Sequence, residues 1–277
     1  MKTFNGKAIY QPNGKAAEYS KWACNFYVGC SNECTYCYLK KGIGAKVLGG
    51  NVPKLKACFK DENHALEIFE KELKVNLPEL QKHGLFFSFT TDPCIKETYI
   101  LNWKAIKKAA SKNVNIKILT KKIEYFDDFI YNLGGAGIRE YIAAGFTLTG
   151  HDELEQNAST NAERIEAMRK LHEAGFKTWA SIEPVIDFES SLKMIYSTSD
   201  CCDLYKIGLM SGAKYDADDL WRFVNETENI RENQNGVLAS GNEIKIYFKD
   251  SLLRQVGRSR SDLPSNCIDR DYNMFNN

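Results

Sequence analysis

The sequence lacks most of the features that would take it out of the ordinary globular class. No run of roughly 18 apolar residues occurs in its 277 positions, so no membrane-spanning helix is expected. Proline is scarce, six in all, and there is no Pro-rich linker, low-complexity tract or internal repeat. An excess of one charge sign is missing too. The 37 Lys and Arg face 36 Asp and Glu, leaving a net charge of +1. Bulk charge therefore does not announce a nucleic-acid binder, although a local basic patch would suffice for one. Residues 1–10 carry Lys2 and Lys7 and no apolar core segment, so no signal peptide and a cytoplasmic location are expected.

What the sequence does hold is 43% hydrophobic and 26% charged residues, ordinary for a globular protein, and nine cysteines. Its length fits one large α/β domain or two small ones, with a sufficient core and no need of disulfides. Nine cysteines in a cytosolic chain point instead to metal or redox chemistry.

Strand and helix patterns alternate. Residues 85–89, 114–119, 141–148, 176–182, 204–209 and 243–248 read as strands, several of them apolar on both faces. Helical spacing recurs between them. Leu66, Phe69 and Leu73 follow Asp61; Trp103, Ile106 and Ala110 follow Asn102, a candidate N-cap; Phe126, Phe129, Ile130 and Leu133 precede Gly134 and Gly135. The clearest helix covers about 161–173, opened by a Thr160–Glu163 capping box and closed by Gly175. A last helix is expected over 251–256. The alternation predicts an α/β fold with a parallel sheet, either a partial (β/α) barrel or an open doubly wound sheet. In both, chemistry gathers at the C-terminal ends of the strands.

The segment richest in chemistry is 25–39, with Cys30-x3-Cys34-x2-Cys37 at its centre. These spacings let one tight loop aim three thiolates at a single cube of iron and sulfide. A [4Fe–4S] cluster has four irons, so three local thiolates leave one iron open. The amine and carboxylate of S-adenosylmethionine (SAM) can chelate it, and an electron from the cluster then breaks the sulfur–C5′ bond. The 5′-deoxyadenosyl radical so formed takes hydrogen from an unactivated carbon. The alternatives are a structural zinc site, with Cys24 or Cys58 reaching in as a fourth ligand, and inert buried cysteines.

With Tyr36 ahead of its last cysteine, this segment resembles the signature of the radical SAM superfamily. Further segments resemble the spore photoproduct lyase-like (DNA-repair-photolyase-like) branch. These are Tyr36-Cys37-Tyr38-Leu39 in the cluster loop, Thr90-Thr91-Asp92-Pro93 after the second strand, Leu119-Thr120-Lys121 after the third, Phe146-Thr147-Leu148-Thr149 after the fourth and Ile182-Glu183-Pro184-Val185 at the fifth. The likeness runs over roughly residues 24–210.

The resemblance implies a TIM-like partial (β/α)6 barrel over residues 21–250, after an N-terminal extension (1–20) and before a short C-terminal tail (251–277). It implies a [4Fe–4S] cluster on Cys30, Cys34 and Cys37, with SAM across the strand tips. Tyr36 would lie beside the adenine, Thr91, Lys121 and Thr147 would contact the ribose or methionine end, and Glu183 would face the same pocket. A lysine and hydroxyls suit a ligand with a carboxylate and a diol. The implied partners are SAM, a reducing protein such as a flavodoxin or ferredoxin, and a substrate. That substrate is either a nucleobase in DNA or RNA, or a peptide, protein or small molecule; no membrane partner is expected. Spore photoproduct lyase has a hydrogen-donating cysteine just before its turn. Phe89 stands there in this chain, which makes Cys94 a candidate donor. Tyr38, beside Cys37, is a candidate to relay or shield the radical.

The remaining signals are weaker. Lys104, Lys107, Lys108, Lys112, Lys117, Lys121 and Lys122 read as a solvated helix face or a phosphate-contacting patch. Arg254, Arg258, Arg260 and Arg270 form a second basic cluster in a polar tail. His151, Asp152 and Glu153 follow the fourth strand as a loop cap or a substrate contact. Tyr205, Lys206 and residues 208–212 are candidate pocket lining at the sixth strand tip.

Overall fold

The computed structural model describes residues 4–42, 44–126, 128, 131, 137–230 and 244–276. Its strands in chain order are β1 (Ile9–Tyr10), β2 (Ala23–Cys24), β3 (Tyr27–Val28), β4 (Lys54–Leu55), β5 (Leu85–Phe87), β6 (Ile116–Thr120), β7 (Ile142–Thr147), β8 (Lys177–Val185), β9 (Leu204–Leu209) and β10 (Lys245–Phe248). β3 and β4 form a small antiparallel pair of their own. The other eight make one sheet in the order β1-β2-β5-β6-β7-β8-β9-β10. All its neighbours pair in parallel except β1 with β2. The six strands expected from the sequence are β5 to β10, and β2 adds a seventh to the parallel part of the sheet. Among the described residues no ladder joins β1 to β10, so the barrel is a partial one.

The helices are α1 (Ala45–Leu48), α2 (Glu62–His83), α3 (Tyr99–Ala110), α4 (Asn161–Glu173), α5 (Phe188–Tyr196), α6 (Ala217–Glu228) and α7 (Asp250–Val256). Asp61 caps α2 by accepting from the His64 amide at 2.8 Å, and both halves of the Thr160–Glu163 box are made on α4. The cap expected at Asn102 is a correction. α3 starts after Thr98, and Asn102 lies inside it, buried, donating to the Thr98 and Pro93 carbonyls at 3.0 and 3.2 Å. A short amide side chain that can bond backward to the preceding turn is tolerated within the helix. Of the expected helix over 126–133, Phe129, Ile130, Leu133, Gly134 and Gly135 lie outside the described residues. Phe126 is buried, its ring 5.1 Å from Phe146.

Alternate strand residues enter different cores. Leu85, Phe87, Ile116, Ile118, Ala144, Phe146, Ala180 and Ile182 join the outer core that also holds the helices. Phe86, Ala143, Trp179, Leu204 and Tyr247 form an inner one. Both ends of the chain contribute to that inner core, through Tyr19 and Met274. Three of the four arginines expected in a polar tail are paired: Arg258 with Glu228 at 2.8 Å, and Arg260 and Arg270 with Asp250 at 2.5 and 2.7 Å. Among the described residues no helix is long and apolar enough to cross a membrane.

Candidate active site

Between β3 and α1 the chain makes the loop that carries the three cysteines. Gly29 enters it at φ 84°, and a Cβ there would stand 2.7 Å from the Val52 carbonyl oxygen and 2.9 Å from that of Gly50. The close approach lets the Cys30 amide donate to the Gly50 carbonyl at 2.9 Å. Glu33 turns the loop in the left-handed region at φ 55°. The loop after β7 clamps it from the other side. The Thr35 amide donates to the Leu154 carbonyl at 2.9 Å, and Asn157 donates to the carbonyls of Asn32 and Ser31.

The three thiols line a cavity of about 390 Å³ at the C-terminal ends of the strands. Tyr36, Tyr38, Thr91, Lys121, Thr147 and Glu183 line it as well. Asp92 ties its wall together. Its carboxylate accepts from Asn32 Nδ2 at 2.8 Å, Thr120 Oγ1 at 2.6 Å and the Cys94 and Lys121 amides at 2.9 and 2.8 Å. Cluster loop, β5 tip and β6 tip are thus held by one buried group. Burial, with Asp92 nearby, pushes the free Cys30 thiol up to about 12. Iron ligation as thiolate must therefore release protons. Burial opposes a charge on Lys121, but Cys34 and Glu155 outweigh it and hold its pKa above the ordinary lysine value. The ammonium lies 5.6 Å from the Tyr36 ring centre.

Sequence reasoning missed the support beneath this wall. Tyr36 donates to Glu155, which pairs with the fully buried Arg164, and Arg164 donates to the Thr147 carbonyl at 2.5 Å. On the opposite strands Glu183 accepts from Tyr19 at 2.5 Å and meets Lys249 at 2.8 Å. Lys117, Lys206 and Lys249 all donate to backbone carbonyls of residues 15–19. One signal was available: these lysines sit at inward-facing alternate positions on or just beyond otherwise apolar strands.

Two residues that line the cavity each carry a buried polar atom with no partner in the protein: Thr91 Oγ1 and Asn32 Oδ1. Unpaired buried acceptors beside three thiols fit a polar ligand that brings its own donors. The residues present thus suit an iron–sulfur cluster with SAM beside it. Among the described residues, no three His, Cys, Asp or Glu side chains converge as ligands of a single ion.

The family model for the radical SAM superfamily matches residues 24–190. The chain belongs to that superfamily. Among relatives in sequence, the uncharacterized protein ORF301 of Acidianus two-tailed virus is 26% identical over 215 residues, 68% of this chain and 67% of its own length. Among solved structures, spore photoproduct lyase with bound AdoMet and dinucleoside spore photoproduct gives a TM-score of 0.56 at 14% identity, over 83% of this chain and 76% of that one. SuiB of Streptococcus suis bound to S-adenosylmethionine gives 0.58 at 13% identity, over 84% of this chain and 51% of its own, so this chain spans about half of SuiB. At these identities the likeness is one of fold.

Several predicted residues lie apart from this cavity. Cys94 is buried in the outer core, with its amide on Asp92, and does not line the cavity. Cys24 is buried on β2 and Cys58 is exposed. His151 is held by Glu153 at 2.7 Å and by Asp187, the cap of α5, at 2.5 Å. The seven-lysine stretch does not form one patch. Lys108 pairs with Glu70 and Lys122 with Glu124, while Lys117 and Lys121 turn inward.

Proposed function

We propose that this chain holds a [4Fe–4S] cluster on Cys30, Cys34 and Cys37 and binds SAM across the tips of β5 to β8. The observation that carries the reading is the shared cavity, lined by Cys30, Cys34, Cys37, Lys121 and Thr91, whose buried hydroxyl has no partner in the protein. When bound, the cluster and SAM supply a 5′-deoxyadenosyl radical able to take hydrogen from carbon. The chain's own residues bind and orient. Lys121 meets a carboxylate, Thr91 and Thr147 offer hydroxyls to ribose or the methionine end, and Tyr36 walls the adenine side. Glu183 faces them from β8, and the rings of Phe86, Phe89 and Tyr38 keep water from the reacting carbon.

The aromatic lining favours a flat, unsaturated substrate group, which is the chemistry of a nucleobase. A peptide side chain is the second reading, favoured by the dispersal of the Lys104 to Lys122 cations, which leaves no track there for phosphates. SuiB has been solved bound to its precursor peptide SuiA.

The test is anaerobic reconstitution with iron and sulfide, then SAM and dithionite. 5′-Deoxyadenosine should appear, and should vanish in Cys34→Ala. Zinc retention with no 5′-deoxyadenosine would overturn the reading. Product analysis with oligonucleotides and with peptides then separates the two substrate classes.

A further inference from the structure

Residues 34–60 contain six lysines and no aspartate or glutamate, in a chain whose net charge is only +1. Five of them, Lys40, Lys41, Lys46, Lys54 and Lys60, are exposed. Among the described residues, Lys40, Lys41, Lys46 and Lys54 make no ion pair. Other surface lysines have acidic partners within reach, as Lys108 has Glu70 at 2.8 Å and Lys21 has Glu79 at 3.5 Å. Apolar side chains stand among the unmatched cations. Val47 is 70% exposed and Val52 64%. Exposed apolar groups ringed by charge of one sign mark an interaction surface.

The position of this lobe narrows the partner. Lys40, Leu48, Gly49 and Gly50 line a small cavity together with Cys30, Cys34 and Cys37. The Gly50 carbonyl accepts directly from the Cys30 amide. The outer face of the lobe is therefore one layer of chain away from the cysteine thiols. Residues 44–56 contribute nothing to the large cavity, where SAM and substrate would lie. A partner seated here is close to the cluster without blocking the substrate's entry.

We infer that the lobe formed by residues 44–54 is the docking surface for an acidic one-electron carrier protein, of the flavodoxin or small ferredoxin type. The inference rests on the proposed cluster. One electron leaves the carrier's reduced flavin or iron–sulfur centre, which is oxidised by one, and the cluster is reduced by one. No bond of this chain changes. A small contact with an apolar centre and a charged rim suits a carrier that must leave after each transfer. A nucleic acid also meets lysines, but a surface turned away from the substrate cavity serves delivery of electrons better than presentation of a base.

The test titrates the reconstituted protein with an acidic flavodoxin and, separately, with a single-stranded oligonucleotide, at low and high salt. Flavodoxin should bind, more weakly as salt rises, and Lys46→Glu with Lys54→Glu should lower its affinity about tenfold. The same charge change on α3, Lys104→Glu with Lys107→Glu, should leave it unchanged. Dithionite-driven 5′-deoxyadenosine formation should be equal in all three proteins, because dithionite needs no docking site. Flavodoxin affinity equal in both double variants would overturn the assignment. Oligonucleotide binding lost only in the Lys46/Lys54 variant, with no flavodoxin binding, would reassign the lobe to nucleic acid. Failure of the dithionite reaction in the unaltered protein would instead sink the cluster reading itself.

Discussion

Lys249 meets Glu183 at 2.8 Å across the inner face of the barrel, with 3% of the lysine side chain exposed. Their strands are not neighbours, since β9 runs between β8 and the end of β10. The gap is bridged because position 208 on β9 is glycine. A Cβ there would stand 2.7 Å from Glu183 Cδ and 2.9 Å from Lys249 Cδ. Glycine weakens a strand interior, and here the missing side chain makes room for an ion pair on the cavity wall.

Glu183→Gln leaves the buried Lys249 ammonium without its counter-charge. The expected loss lies at the lower end of about 3–5 kcal/mol, because Glu183 is still 19% exposed. Gly208→Ala should cost about 1–3 kcal/mol by overpacking. Urea unfolding of both variants checks this, and a Glu183→Gln loss under about 1 kcal/mol would show that water already screens the pair.

Arg164 is the other buried charge on which the site depends. Arg164→Met strands the Glu155 carboxylate, which has no exposed surface of its own, and should cost about 3–5 kcal/mol. Arg164→Lys should recover only part of this. A single ammonium cannot reach both the Glu155 carboxylate and the Thr147 carbonyl as the planar guanidinium does. Thermal unfolding of the two variants decides, and full recovery by lysine would show that charge alone matters here.

The contrast between these two pairs shows what the sequence made legible. β5 to β10 stood out because their residues are apolar at most positions on both faces, and α4 because its capping box is complete. The cluster loop and the strand-tip residues Thr91, Lys121, Thr147 and Glu183 were named from motif likeness, and they do line one cavity. β2 was invisible, being two residues long. Lys117 read as part of a surface basic stretch, because the lysines on either side of its strand hid its place among apolar residues. Lys249 and Glu155 drew no notice, since their partners lie 66 and 9 residues away in a fold that had yet to be built.

Lys117 gives the barrel interior a pH signature. Burial lowers its pKa from 10.5 to about 8. Between those values the unfolded chain still holds a proton that the folded chain has released. Stability therefore rises with pH across that window. Below it both states are protonated, and the whole cost of burying the charge is present, up to roughly 3 kcal/mol. The unaltered protein should gain stability relative to Lys117→Met between about pH 8 and pH 10. Equal pH profiles for the two would mean that the ammonium is solvated in the folded state.

Cluster and SAM should be separable by mutation. Cys30→Ala, Cys34→Ala or Cys37→Ala should each abolish cluster retention, read from iron and sulfide content and visible absorbance. Lys121→Met should leave that content intact and weaken SAM binding, by about tenfold or more for a lost charge-assisted contact. Unchanged SAM affinity in Lys121→Met would remove this lysine from the carboxylate site.

Thr91 predicts effects of opposite sign from a single substitution. Its hydroxyl is buried and has no partner in the protein, so the ligand-free chain bears the desolvation of that group with no hydrogen bond to offset it. Thr91→Val removes the hydroxyl and keeps the shape. It should stabilise the ligand-free protein by about 1 kcal/mol. The same change removes a contact that SAM would satisfy, so SAM affinity should fall about tenfold. Chemical unfolding of the apoprotein and equilibrium binding of SAM to the reconstituted protein read the two effects independently. A stabilised apoprotein with unchanged SAM affinity would place the hydroxyl away from the ligand. A destabilised one would show that water already satisfies it.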